Sequence, residues 1–503
     1  MNLDEVVSEI IERRRYAVHR LVSQRPNGRK NFLAAVICGK LLAILVFWIA
    51  AAMIAPSADG QNPGSTASES ADPPAADEAV QTIFHHFKEG RFWISGQANF
   101  IFQTNPPFYA KYSGTNSFQP SYEKATSRVL TLYTGLELTK SIEVLADVEE
   151  SGGKGLSQAL GLAGFTNLDV VRNPTIGQAP YLARLMYHQV FALSNEKVEN
   201  ARSPLSTFAE LPARRLEFRI GKFGMADFFD VNSVGGDSHL QFMNWTIDQN
   251  GGYDYAADTR GYTWGAIVEY QSPKWGLRFA EALLPTVANG PDFVWNLRRA
   301  NASNVEFELH RGFLPKKDGI VRLLTYVNNA NMGIYQVAID QYLEGKIPTP
   351  EITNHPLQMT TKYGFGINFE QTVTHNIVVY GRFGWNNGKT ESWAYTEVDQ
   401  TFQGGAGFAG RIWKRRYDRA GIAFVSNGIS KEHAQYLADG GLGFILGDGG
   451  LSYGRENILE SYYTAHAWRG IYLGPDLQYI VNPGYNQVRG PIVVPGFRLH
   501  VEF

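Results

Sequence analysis

From Arg91 to the end of the chain, apolar and polar residues trade places at every second position. Phe92, Ile94, Ala98, Phe100 and Phe102 alternate with Ser95, Gln97, Asn99 and Gln103. Leu130, Leu132, Leu136 and Leu138 alternate with Thr131 and Glu137, and Leu216, Phe218 and Ile220 with Arg215, Glu217 and Arg219. The same dyad recurs at Val305, Phe307 and Leu309, and at Tyr363, Phe365, Ile367 and Phe369. Gly, Asn, Asp or Pro separates these segments and no long helix intervenes, so the pattern predicts antiparallel strands. At roughly ten residues per strand plus turns and long loops, the body holds about sixteen strands, with eighteen as the alternative.

Alternation alone fits a soluble sandwich as well as a membrane barrel. Three features favour an all-β transmembrane up-and-down barrel. Aromatic residues gather at segment ends (Tyr262, Trp264, Tyr270, Trp275, Trp385, Trp413, Trp468 and Tyr472), where interfacial girdles need them. The last segment sets Phe497, Leu499, Val501 and Phe503 against Arg498, His500 and Glu502 and ends on Phe503 itself, the kind of address read by the barrel-assembly machinery. The third feature is an export signal.

Residues 41–55 form an uncharged apolar run behind Arg13, Arg14, Arg15, Arg20, Arg25, Arg29, Lys30 and Lys40. A basic region, an apolar stretch and then small residues describe a secretory signal peptide over residues 1–60, cleaved near Gly60 and Gln61. A retained anchor is the competing reading, because residues 32–55 are long enough to span if Lys40 snorkels. Residues 61–90 read as a disordered linker, rich in Pro, Gly, Ser and Ala, followed by a short helix from Glu78 to Lys88. Residues 91–503 are the barrel.

Composition narrows the function. The chain has 51 Gly and 13% aromatic residues, which suits a barrel with one lipid face and one wet face. The formal charge is −2, and the basic residues clustered before residue 60 leave the remainder more acidic, so nucleic acid is excluded as a partner. The single cysteine, Cys38, falls within the export segment, leaving no thiol for a disulfide, a metal or a nucleophile in the body. His85 and His86 lack a third ligand, and no metal or cofactor is expected. Gly450, Ser452 and Gly454 fit a nucleophile elbow, but Gly447 to Gly450 reads as a tight turn and the following residues keep period two. Gly388, Lys389 and Thr390 lack the earlier glycine of a phosphate loop. No catalytic residue is assigned.

Several stretches are similar to the carbohydrate-selective porins of the OprB family. The most specific runs from Arg215 to Tyr270 and contains GKF, ADFFDVN, QFMNW and YDYAADTRGYTWG in the family's order. Supporting stretches are NLDVVRNP from Asn167, YLARLMYHQ from Tyr181, ILGDGGLSYGRENILESYY from Ile445 and NPGYNQVRGPIVVPGFRLHVEF from Asn482. The resemblance covers most of residues 92–503, and the long N-terminal extension departs from it. It implies a sixteen-stranded outer-membrane barrel that admits mono- or oligosaccharides and other small polar solutes through a charged constriction. It transfers no sugar specificity, and nothing in the sequence decides between a single barrel and a homotrimer.

Charge at the lipid face near mid-membrane costs roughly 2–4 kcal/mol, so Arg215, Glu217 and Arg219 must point into the lumen. There they either set the selectivity of the constriction or form a ladder of ion pairs with no part in it. Arg172, Arg184, Asp227, Asp230 and Arg260, in the family-like stretches, either join them along the pore or pin loops folded into the lumen. Trp245, Tyr253 and Tyr255 are aromatic faces available to a sugar. The rival functions are a general porin without sugar preference, a sugar-binding β-protein without a pore, and a barrel enzyme resting on Ser452 with His466.

Overall fold

A computed structural model describes residues 80–86, 90–171 and 176–503. The export segment, Cys38, most of the linker and Arg172 lie outside the described residues. The chain enters the sheet at β1 (Phe92–Asn105), β2 (Glu123–Thr139), β3 (Ile142–Gly153) and β4 (Tyr181–Ala192). A small separate hairpin follows, β5 (Lys197–Glu199) with β6 (Glu210–Pro212). The sheet resumes with β7 (Arg215–Phe223), β8 (Thr263–Gln271), β9 (Trp275–Ala282) and β10 (Asn301–Leu309). Then come β11 (Gly319–Ala330), β12 (Thr360–Thr374), β13 (Ile377–Asn386) and β14 (Gln400–Ala409). The last are β15 (Arg419–Gly428), β16 (Glu456–Trp468), β17 (Ile471–Val481) and β18 (Ile492–Glu502).

Leaving out the β5–β6 hairpin, each strand pairs antiparallel with its sequence neighbour, and β1 closes on β18 with Ala98 opposite Val501 and Phe102 opposite Phe497. The result is the expected sixteen-stranded closed barrel. Closure removes the edges that would otherwise leave backbone groups unpaired in lipid. The dyad sorts side chains as it predicts: Leu130, Leu132 and Leu136 are exposed outward, whereas Val129 and Thr131 are buried inward. Among the described residues no helix is long and apolar enough to cross a membrane.

The two ends differ. At one, β8–β9, β12–β13 and β16–β17 are joined by 272–274, 375–376 and 469–470; at the other, 224–262, 331–359 and 429–455 form long loops. Outward aromatics pack in pairs at the rims, such as Tyr270 with Trp275 at 4.6 Å between ring centres. Tyr262 and Tyr472 correct the girdle expectation, since both are buried inside. Tyr262 precedes β8 and turns its ring under Arg184, while Tyr472 lies in the inward phase of β17 and accepts from the Gln81 amide.

The short helix expected from Glu78 to Lys88 is absent from its described part, 80–86. That segment instead runs along the barrel's closing strand, where the Ile83 amide donates to the Glu502 carbonyl at 2.9 Å and His86 Nε2 lies 2.8 Å from the Phe503 carbonyl. A helix of eleven residues is marginal by itself, and the contacts of Ile83 and His86 to Glu502 and Phe503 hold the segment against the strand instead.

The 224–262 loop between β7 and β8 folds into the lumen and is fastened to the wall opposite its origin. Asp230 pairs with Arg382 of β13 at 2.9 Å, and its amide donates to Glu306 of β10 at 2.6 Å. Asn232 donates to Asn368, and the Ser233 amide to Glu370, both on β12. Glu460 of β16 accepts from the amides of Met243 and Asn244, and Arg498 of β18 donates to the Gln241 carbonyl. Arg382→Gln strands Asp230 as a buried unpaired carboxylate. The variant should lose about 3 kcal/mol in urea unfolding at pH 8, the low end for breaking a buried pair because the carboxyl can take up a proton. The loss should shrink as the pH is lowered, because burial holds the Asp230 carboxyl above its ordinary range and Arg382, which opposes that, is gone.

Candidate functional site

The inward ionisable side chains of eight neighbouring barrel strands join into one ladder. Glu143 of β3 and Glu217 of β7 flank the His188 ring of β4, at 2.6 and 2.8 Å. Arg219 bridges Glu217 and Glu269 of β8, and Arg278 of β9 bridges Glu269 and Glu306. Arg322 of β11 bridges Glu308 to Glu370 of β12, where the clamped loop takes over. Arg215 begins the row at the rim, 2.6 Å from Glu217. Glu217 is 2% exposed and Arg219 7%, with the Phe228 ring over the Arg219 guanidinium at 5.1 Å. These three residues therefore face inward, as expected, but their geometry is that of the lumen-wall ladder. Asp230 is likewise buried, spent on Arg382 and on fastening the loop.

A cavity of about 540 Å³ lies along the lumen on the β2–β4 and β8 side, and it is lined by Arg184, Asp227 and Arg260. Its lining reaches from Ser203, Pro204 and Leu205 at the short-turn end to Val171 and Asn289 in the long loops. Arg184 is held by Asp147 at 3.1 Å and by Asp227 at 2.7 Å, with a second bond from Nε to Asp227 at 2.8 Å. Two-pronged pairing of this kind fixes a guanidinium plane. The Arg260 guanidinium lies 3.8 Å from the centre of the Tyr181 ring, and the Tyr181 hydroxyl donates to Glu149, which also accepts from Tyr262. Arg260 comes from the loop and Tyr181 from β4, so the contact ties the loop's exit to the wall.

The far wall is aromatic. Trp245 and Tyr395 stack at 5.9 Å with 15° between planes, and Tyr255 stacks on Tyr395 at 4.6 Å. The Trp245 indole donates to the Asn167 carbonyl at 2.8 Å, and the Tyr395 hydroxyl donates to the Trp245 carbonyl. Tyr253 stands elsewhere, with its hydroxyl donating to Asn304 and its ring against Tyr326.

Among the described residues, besides Arg184 and Arg260, the cavity's other cation is His239, 3.5 Å from Asp169. Burial pulls its pKa down, but the Asp169 carboxylate more than offsets that and holds it at about 9. Against these stand Glu149, Asp169, Asp227, Asp237, Asp248 and Asp258. Burial pushes Asp248 up to about 7, with Arg382 opposing. Sequence reading missed Glu149, His239, Asp248 and Tyr395; only Glu149 had a signal, its position in the inward phase of β3. The others lie on irregular loops whose path into the lumen has no periodic signature.

Ser452 precedes β16 and His466 lies near its far end, more than about 30 Å away at ~3.3 Å per residue. They do not form a catalytic pair, and no helix follows Ser452. Among the described residues, no group of three or more His, Cys, Asp or Glu is placed to hold a metal.

One solved structure bears on this architecture. The high-pH structure of Pseudomonas putida OprB superimposes with a TM-score of 0.60 at 16% identity, covering 82% of this chain and 94% of that one, a likeness of fold. The outer membrane channel DcaP of Acinetobacter baumannii matches with a TM-score of 0.44 at 10% identity, covering 82% and 97%. No curated protein matches the chain. Residues 115–503 fit the family described as carbohydrate-selective porin, OprB family. With that match spanning most of a lipid-belted sixteen-stranded barrel, the chain belongs to the OprB family of carbohydrate-selective porins, and is an outer-membrane channel for passive diffusion of carbohydrates and other small polar solutes.

Proposed function

We propose that solutes cross through the cavity beside the clamped loop, and that Arg184, Asp227 and Arg260 select among them there. The observation that carries this reading is the division among the charged residues in the family-like stretches. Arg184, Asp227 and Arg260 open on the cavity, whereas Arg215, Glu217, Arg219 and Asp230 are consumed by the ladder and the loop's fastening. A volume of about 540 Å³ falls within the ~300–1,000 Å³ of pockets that hold small molecules. Fixed guanidinium and carboxylate groups opposite the Trp245, Tyr255 and Tyr395 rings offer hydrogen bonds to a sugar's hydroxyls and a flat apolar face to its C–H groups. A site that binds weakly enough to release favours flux. Residues 1–60 act as the export signal in this reading, and N-terminal sequencing of protein from outer membranes checks the cut near Gly60.

In planar bilayers, conductance should fall as a monosaccharide is added. Arg184→Gln with Asp227→Asn, or Arg260→Ala, should raise the half-blocking concentration about tenfold, the loss of one good charged hydrogen bond. Arg215→Gln should leave it unchanged. Sugar block that survives both cavity variants places selection elsewhere, and conductance indifferent to sugar makes the protein a general porin.

Because six carboxylates outnumber three cations among the described residues of the lining, the channel should prefer small cations to anions. Asp248 is neutral below its pKa of about 7 and charged above it. Reversal potentials in a salt gradient should therefore show stronger cation preference at pH 8 than at pH 6, and Asp248→Asn should flatten that difference.

A further inference from the structure

The connections at the two ends of the barrel carry opposite charge. Short turns mark the periplasmic end of barrels of this kind. Among the described residues, the connections there hold thirteen Lys and Arg against five Asp and Glu, while those at the opposite end hold ten against seventeen. The excess concentrates on one arc of the periplasmic rim, from the β8–β9 turn to the β16–β17 turn, where nine basic residues meet two acidic ones. One of those two, Asp418, is taken by Arg415. Arg311, Lys316, Lys317 and Lys414 are exposed.

Exposed apolar side chains stand among these cations. Phe313 is 66% exposed, Ile412 50% and Trp468 55%. The Phe313 ring packs edge-on against Phe369, which continues the outward phase of Phe365 and Ile367 on β12, so the 310–318 turn lies against the lipid-facing wall. Trp468 sits at the base of the same wall with the Arg469 guanidinium 4.7 Å from its ring. Cations interleaved with apolar side chains at this level match the boundary between phosphate groups and acyl chains.

We propose that this arc binds anionic phospholipid headgroups of the inner leaflet, the phosphates lying against Arg311, Lys316, Lys317 and Lys414 while Phe313, Ile412 and Trp468 enter the acyl region. An acidic periplasmic protein would satisfy the charges but leave the apolar side chains, which point along the barrel wall, without a partner. The surface fixes the barrel's depth and the lipids that surround it, independently of what passes through the lumen.

The test is native mass spectrometry of the purified full chain in micelles containing equimolar phosphatidylglycerol and phosphatidylcholine. The parent should retain phosphatidylglycerol in preference, by about fivefold or more, the worth of a single cation near an anionic surface. The combined variant Arg311→Gln, Lys316→Gln, Lys317→Gln, Lys414→Gln should bring the ratio towards one. A control carrying Arg298→Gln, Arg299→Gln and Lys346→Gln in the opposite loops should keep the parent's ratio. Heat-modifiable mobility on gels and unchanged single-channel conductance show that each variant is folded. No preference in the parent, a preference retained by the rim variant, or equal loss in the control would overturn the proposal.

Discussion

Arg382 reaches from the β13 wall to Asp230 of the loop packed against it, and that buried pair is the point on which the interior depends. A closed sheet of sixteen strands encloses more space than wall side chains can fill. This chain fills part of it by laying the 224–262 loop against the wall, where burying polar groups is costly unless they find partners. Arg382 neutralises the loop's carboxylate and also donates to the carbonyls of Ile247 and Asp248. Glu306, Glu370 and Glu460 meanwhile accept the loop's amides. Glu306 and Glu370, members of the ladder, thus also serve as anchors for backbone. A single truncation would leave several groups unpaired at once, which is why the network is costly to break and rigid while intact.

The loop's position decides where the cavity lies. It lies on the β12–β16 side because that wall is small: a side chain at Gly384 would come within 2.0 Å of Asn250, and one at Gly421 within 2.9 Å of Phe242. On the opposite side Tyr181, Arg184 and Tyr262 hold the space open, and the cavity remains there, off the barrel's centre. The arginines beside it are immobilised before any solute arrives, Arg184 by two aspartates and Arg260 by a tyrosine face. Preorganised groups of this sort lower the cost of ordering a bound solute.

The barrel itself was legible in the sequence, because its period-two signal repeats on sixteen strands and a slip of one residue would turn every charge towards lipid. Arg215, Glu217 and Arg219 were placed on the correct face by that logic. Their roles were not legible, since the partners that consume them, His188, Glu269 and Phe228, come from other strands and a loop, and pairing across strands is set by register. Arg184 and Asp227 lie 43 residues apart and meet only because the chain returns through β7 into the loop. Tyr262 reads as a rim aromatic from its neighbours, yet it belongs to the turn that leads out of the lumen, where periodicity carries no information.

Thiol modification during conductance recording distinguishes passage of solutes beside the clamped loop from passage through it. The chain's only cysteine, Cys38, precedes the barrel, so single cysteines placed within it report without background. With Ser238→Cys, which lines the cavity, a charged methanethiosulfonate reagent should reduce the current of open channels within seconds. With Thr246→Cys, buried where the loop meets Asn427 of β15, the current should not change. Modification that spares the Ser238→Cys channel while blocking the Thr246→Cys channel would contradict the account, and would mean that the loop moves aside to open a path along the opposite wall.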